Sequence, residues 1–200
     1  MRKLTYLVAT TADGYIAGPD GGDPTGPDGF FDVPPDYIEH LVTTMPEILP
    51  THVRAALGVT DPGTTFDTVV MGRRTYEPGP AIGVHDPYAH LRTVVFSRTL
   101  TEAADLSGSA ADIEFTAADP VTRVRQLKAE PGKGIWLAGG AALAGQLHDE
   151  IDELVLKINP VTIRSGLPVF EGEFLATKLV LTDHHVLASG TIFASYRRAQ

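Results

Sequence analysis

Two hundred residues with 43% hydrophobic content suit one domain with its own core, and a formal net charge of -9, from 25 acidic against 16 basic residues, argues against non-specific binding to nucleic acid or an anionic membrane. The absence of cysteine excludes disulfides, thiolate catalysis and cysteine-ligated zinc. The expected partner is a small molecule and the expected setting soluble and cytoplasmic, since no apolar run approaches the roughly 20 residues of a membrane span.

Residues 4–10, LTYLVAT, predict a strand running into the turn pair Asp13-Gly14. Residues 18–35, GPDGGDPTGPDGFFDVPP, are too dense in Gly, Pro and Asp for regular structure, and so long a loop predicts a functional lid or a disordered segment. In PDYIEHLVTTM, Tyr37, Leu41 and Met45 recur with helical period beside Ile38 and Val42, and a second helical piece is expected over about 51–57. TVVMG reads as a strand with a short helix from Arg73, and LRTVVFS, 91–97, as another buried strand. DPVTRVRQLKAE predicts an amphipathic helix with Asp119 as N-cap and Pro120 at its first position. GIWLAGG then reads as a strand, AALAGQLHDE as a helix and DELVLKINPVTI as a strand. TKLVLTDHHVLAS and TIFASYRRA predict an antiparallel hairpin around Gly190. Strands alternating with helices imply an α/β fold whose mainly parallel sheet is covered on both faces, with ligands at the carboxyl ends of the strands.

Three predicted strand ends carry related chemistry. At LAGGAALAGQL two glycines let a backbone approach a ligand closely and a helix start offers N–H groups to a phosphate; the alternative is a tight strand-to-helix turn. At VVMGRRTYE, Gly72 ends a strand and Arg73, Arg74 and Thr75 open a helix, which suits an anion unless the arginines are solvated or pair with carboxylates such as Glu77. At VVFSRT, Ser97, Arg98 and Thr99 set two hydroxyls around a guanidinium, suited to a monoester phosphate such as the ribose 2′-phosphate that separates NADPH from NADH.

Taken in order, LTYLVATTADGYIAG, VVMGRRTYE, VVFSRT, IWLAGGAALAGQL and DELVLKINPV resemble the dihydrofolate reductase superfamily. Within it the resemblance is to the reductase domain of bifunctional riboflavin-biosynthesis deaminase/reductases and their stand-alone relatives, over about residues 3–197. The resemblance implies a dihydrofolate-reductase-like three-layer fold in a single domain over 1–200, with an eight-stranded, mostly parallel sheet and an antiparallel C-terminal strand. It implies hydride transfer from NADPH to a small heterocyclic or carbonyl-type acceptor, without metal or flavin, by a protein whose relatives often form homodimers. It places Ala9, Asp13, Gly14 and Ile16 along the nicotinamide, and Gly72, Arg73, Arg74 and Thr75 at the pyrophosphate and 2′-phosphate. Ser97, Arg98 and Thr99 fall under the adenosine ribose, and Gly139, Gly140, Ala141 and Leu143 beside the nicotinamide and pyrophosphate. For Asp13-Gly14 a simple turn is the alternative.

On the substrate side the resemblance implies an acidic residue at the start of the first helix, where PPDYIEHLV offers Asp36, with Glu39 one turn later. Such a carboxylate would supply or relay the proton that accompanies hydride transfer; the alternative is an N-cap, for which Asp is favoured. Asp36 and Asp13 are the candidate catalytic residues. His184 and His185 fall on one predicted strand and point to opposite faces, so they are not expected to chelate a metal together. Phe30 and Phe31 stand where folate-reducing relatives have a tryptophan, the segment from about 44 to 66 has no clear counterpart, and Ala138 replaces the glutamate with which riboflavin-pathway relatives hold their substrate. Two rival functions stay open: an NADP(H)-binding protein without catalysis, and a flavin-binding protein, which would be yellow.

Overall fold

The structure is a computed structural model that describes residues 1–26, 28–100 and 112–199; Pro27, inside the expected lid, lies outside them. In chain order the elements are β1 (Leu4–Thr11), β2 (Tyr15–Ala17), α1 (Pro35–Thr44), α2 (Thr51–Leu57), β3 (Phe66–Gly72), α3 (Arg73–Tyr76), α4 (Pro78–Ala81), β4 (Arg92–Phe96) and β5 (Ile113–Thr116). They continue as α5 (Pro120–Ala129), β6 (Gly134–Gly139), α6 (Ala141–Gln146), β7 (Glu153–Asn159), β8 (Leu167–Pro168), β9 (Leu179–Val186) and β10 (Ile192–Arg198), with 3₁₀ turns at Pro46–Ile48 and His148–Glu150.

Eight strands form one sheet in the order β5-β4-β3-β6-β1-β7-β10-β9, and β2 pairs with β8 in a separate ribbon. Every pairing from β5 through β7 is parallel, whereas β10 runs antiparallel to β7 and to β9. The expected α/β sheet and its antiparallel C-terminal strand are both present, and β9–β10 is the expected hairpin. Parallel neighbours need crossovers, and those crossovers lay the helices on the two faces of the sheet.

One face is closed by α5 and α6, whose Val124, Leu127, Leu143 and Ala144 pack with Leu4, Tyr6, Val70 and Leu137. On the other, Tyr37 and Leu41 of α1, Ile48 and Tyr76 pack with Leu7, Val69, Met71, Trp136 and Phe193. The alternation along β1, with Tyr6 on the first face and Leu7 on the second, is the period of a strand buried on both sides. Among the described residues no helix is long and apolar enough to cross a membrane.

Local signals set several boundaries. Asp119 caps α5 by accepting the Thr122 N–H at 2.8 Å, with Pro120 opening the helix. β7 stops at Asn159, short of the expected Ile163, because Pro160 has no N–H to give the ladder. The unplaced segment from about 44 to 66 holds a 3₁₀ turn and α2, and it is tied to β3 by Glu47. That carboxylate is fully buried and accepts the Thr65 and Phe66 N–H groups at 2.8 and 3.1 Å. Gly63, at φ +73°, passes so close to it that a Cβ there would overlap Glu47 Oε2. The short strands β2, β5 and β8 were not expected from the sequence; β2 exists through its pairing with Leu167 and Pro168, far along the chain.

Candidate nucleotide and acceptor site

Register brings the three glycine- and arginine-bearing strand ends together. Gly72 of β3 pairs with Phe96 of β4, and Met71 with Gly139 of β6, so Arg73, Ser97 and Gly140 leave the sheet side by side at its carboxyl edge. A Cβ on Gly72 would lie 3.8 Å from Gly140 N and 3.9 Å from the Gly139 carbonyl; on Gly139 and Gly140 it would meet Thr75 Oγ1 at 3.4 and 3.5 Å. Gly72, Thr75, Gly139 and Gly140 thus lie together, with Gly72 and Gly140 half-buried and Gly139 buried. Gly139, at φ +135°, adopts a conformation that an L side chain rarely takes, whereas Gly140 at φ −97° is extended and any residue could adopt it.

Positive charge lies beside these glycines. Arg73 reaches across to β4, its Nη1 donating to Thr99 Oγ1 at 3.4 Å, while its Nε lies 3.6 Å from Glu77. Ser97 Oγ accepts the N–H groups of Thr99 and Leu100 at 3.2 and 2.7 Å, folding the Ser97–Thr99 segment into a tight turn. Arg74 and Arg98 are exposed, and neither makes an ion pair among the described residues. The helix opened by Arg73 is a single four-residue turn, too short for a substantial macrodipole, so the attraction for an anion here comes from the guanidinium groups. Leu143 and Ala141 are buried, Leu143 within the apolar core, so α6 can offer a ligand backbone there but not those side chains.

The first strand contributes at the same edge. β1 runs beyond its last pair with β6, Tyr6 with Leu137, and continues along β7 to pair Thr11 with Asn159. Asp13 braces the turn that follows: it accepts from Thr11 Oγ1 at 2.6 Å and from the N–H groups of Ile163 and Arg164 at 3.2 and 2.8 Å. The Thr11 hydroxyl and these N–H groups hold its carboxyl below the usual range. Gly14 takes φ +88° in that turn, and Ile16 lies in β2.

Asp36 is not an N-cap. Pro34 holds that position, and Asp36 stands in the first turn of α1, half-buried. Its Oδ2 accepts the Ser189 N–H at 2.9 Å from the β9–β10 turn, which holds the carboxyl below its usual range. Its Oδ1 is buried and has no hydrogen-bond partner among the described residues. Beside it Phe30, Asp32 and Pro34 line a cavity of about 130 Å³ with Asn159, Ser189 and Thr191. A larger cavity of about 250 Å³ lies at the opposite, amino-terminal edge, between Leu154, Phe170, Leu179 and Tyr196, away from these glycines.

Sequence reasoning missed the row that leads away from Ala9. Ala9 pairs with Lys157, Lys157 with Phe193 and Phe193 with His185, straight across β1, β7, β10 and β9. α1 covers it: the Tyr37 ring lies 5.7 Å from Phe193, and His40 stacks on His185 with centroids 4.5 Å apart and planes 5° apart. The available signal was a lysine at an inward position of LVLKIN, where the alternation calls for an apolar or polar-neutral residue.

Burial pushes the His40 imidazole below its ordinary range, and His185 adds to the push when charged. The unfolded chain takes up this proton near pH 6.5, at roughly the unperturbed histidine pKa. The folded chain resists it, so the contribution to stability is present above that pH and is lost as pH falls through the folded-state pKa. The melting temperature is therefore expected to fall from about pH 8 to about pH 5, and His40→Phe to flatten the fall. An unchanged slope in the variant would remove the pair from the explanation. His90, also lowered by burial, acts with the same sign and leaves a residual slope.

The chain matches the RibD C-terminal domain family over residues 2–193. It is 33% identical over 182 residues to the uncharacterized protein YwjB of Bacillus subtilis (strain 168), covering 90% of this chain and 89% of that one. A putative riboflavin biosynthesis protein from Shewanella sp. PV-4 has the same fold, with a TM-score of 0.67, 20% identity and full coverage of both chains. So does a dihydrofolate reductase from Enterococcus faecalis complexed with NADP(H) and RAB-propyl, with a TM-score of 0.60, 16% identity and coverage of 99% of this chain and 97% of that one. With the sheet order, the strand-end glycines and the sequence match all in agreement, this chain belongs to the RibD C-terminal domain family.

Proposed function

We propose that the protein is an NADPH-dependent reductase that delivers hydride to a small heterocyclic acceptor. The observation that carries the reading is the register that pairs Gly72 with Phe96 and Met71 with Gly139, so that three separate motifs end at neighbouring positions of one sheet edge, with Arg73, Arg74 and Arg98 next to them in sequence. The residues fit the cofactor: backbone without Cβ at Gly72, Gly139 and Gly140 would admit a pyrophosphate, and the guanidinium of Arg98, without an ion pair among the described residues and beside Ser97 and Thr99, would take the 2′-phosphate. The dihydrofolate reductase with the same fold is complexed with NADP(H), which supports the choice. When bound, the nicotinamide supplies the hydride. The chain positions the acceptor along Ala9 and the α1 side of the sheet, excludes water with the loop over 18–35, and holds a carboxylate at Asp36 within the acceptor side.

Trp136 is the single tryptophan, on the sheet face that carries Leu7, with its Nε1 donating to the Leu7 carbonyl at 3.0 Å. Quenching of its emission by energy transfer to the reduced nicotinamide gives a binding assay. NADPH is expected to bind more tightly than NADH, and Arg98→Ala to weaken NADPH by about 10- to 100-fold, the ~1.5–3 kcal/mol of a charge-assisted hydrogen bond, while sparing NADH. Equal losses for both would show that Arg98 does not read the 2′-phosphate. Tight binding without NADPH oxidation by any pteridine or ribosylaminopyrimidine acceptor would favour the non-catalytic binder instead.

A further inference from the structure

The acceptor side of the proposed site contains a cation without a counter-ion among the described residues, and its placement bears on the chemistry of what binds there. Lys157 lies between Ala9 and Phe193 in the cross-strand row, on the sheet face that α1 covers. Its Nζ stands 5.8 Å from the centroid of the Tyr37 ring, within cation–π range. Lys157 is half-buried and makes no ion pair among the described residues, although the chain carries 25 acidic residues against 16 basic ones. The carboxylate next along the helix, Asp36, is turned to the Ser189 N–H instead. Asn159, the next inward residue of β7, gives its Nδ2 to the carbonyls of Thr10 and Lys157 and so is committed to the backbone.

A lysine on a sheet face would ordinarily run its stem along apolar surface to water or to a carboxylate. Here the ammonium stands over the Tyr37 ring, which itself packs on Phe193, and Lys157 is paired one strand over from Ala9. Phe193 and the stacked His40–His185 pair close the row toward the sheet edge, and these histidines are the other titratable groups on it.

We infer that Lys157 is the specificity-determining residue of the acceptor site and selects a planar heterocycle bearing a carboxylate. The ring would lie along Tyr37 and the anionic group against the ammonium. This rests on the reading of the Ala9 side as the acceptor side, and the test separates the two. Uracil-6-carboxylate and its neutral isostere uracil-6-carboxamide are titrated calorimetrically into the full-length protein, with and without NADPH.

The wild type is expected to bind the carboxylate about 10- to 100-fold more tightly than the amide, the increment of a charge-assisted contact. Lys157→Met, shown to be folded by its melting curve, is expected to lose that preference, and Lys157→Arg to keep most of it. Absence of discrimination by the wild type, including failure to bind either compound, overturns the inference, as does a preference that survives in Lys157→Met. If NADPH fails to bind while the cofactor-free protein still discriminates through Lys157, the reductase reading falls and the anion site stands. If NADPH binds and the pair is not discriminated, the reverse holds.

Discussion

Gly140→Val is expected to lower NADPH affinity by about 100-fold or more, roughly 2.7 kcal/mol or more, in a protein that remains folded. Two observations separate the loss of ligand from loss of fold. Gly140 is extended at φ −97°, so valine can adopt its backbone conformation, and the nearest atom to an added Cβ is Thr75 Oγ1 at an ordinary 3.5 Å. The branched methyl groups would occupy the space between the ends of β3 and β6, where the proposed reading brings in the pyrophosphate of NADPH. Gly139 differs: at φ +135° a side chain strains the backbone, so a valine there would test conformation and not the cleft. Titration of NADPH with the melting temperature measured alongside decides the matter. Wild-type affinity in Gly140→Val, or a variant that does not fold, would return this glycine to the role of a turn residue.

The other large effect is expected at Asp36, where Asp36→Asn should lower turnover by roughly two to four orders of magnitude and leave NADPH affinity unchanged. Asparagine keeps an oxygen to accept the Ser189 N–H, so the tie between α1 and the β9–β10 turn survives and only the charge is lost. Oδ1, buried and without a hydrogen-bond partner among the described residues, is on the proposed reading the atom that would meet an acceptor N–H or a relaying water. Because the Ser189 N–H holds this carboxyl below its usual range, it is ionised at neutral pH and, on the proposed reading, would act as a proton relay or hydrogen-bond acceptor, not as a store of protons. The sign follows: protonation of Asp36 should not limit activity anywhere above about pH 3.9, and an acid limb between about pH 5 and pH 7 would belong to a histidine. Steady-state NADPH oxidation with dihydrofolate and with the ribosylaminouracil intermediate is the measurement. If Ala138 replaces a substrate-holding glutamate, as the sequence resemblance implies, poor use of the ribosylaminouracil is expected. Efficient turnover of that compound, or full activity of Asp36→Asn on the best acceptor, would sink the assignment.

Much of the fold was legible because its determinants are local. Asp119-Pro120 starts α5 by a cap and a fixed φ, Pro160 stops β7 for want of an N–H, and the apolar runs of β1, β3, β4 and β6 announce strands buried on both faces. The chemistry of the three strand ends was equally local, since Gly72-Arg73-Arg74, Ser97-Arg98-Thr99 and Gly139-Gly140 state their residue types wherever the strands lie. The tertiary structure alone decided that these ends meet side by side at one edge of the sheet, because strand order and register depend on which surfaces bury one another across the sheet. It also decided that Asp36 answers to Ser189, 153 residues away, rather than to its own helix, and that Lys157 faces Ala9 under Tyr37. Periodicity can say that a side chain points inward, but the partner it meets there comes from a different strand or helix, and no local spacing encodes that meeting.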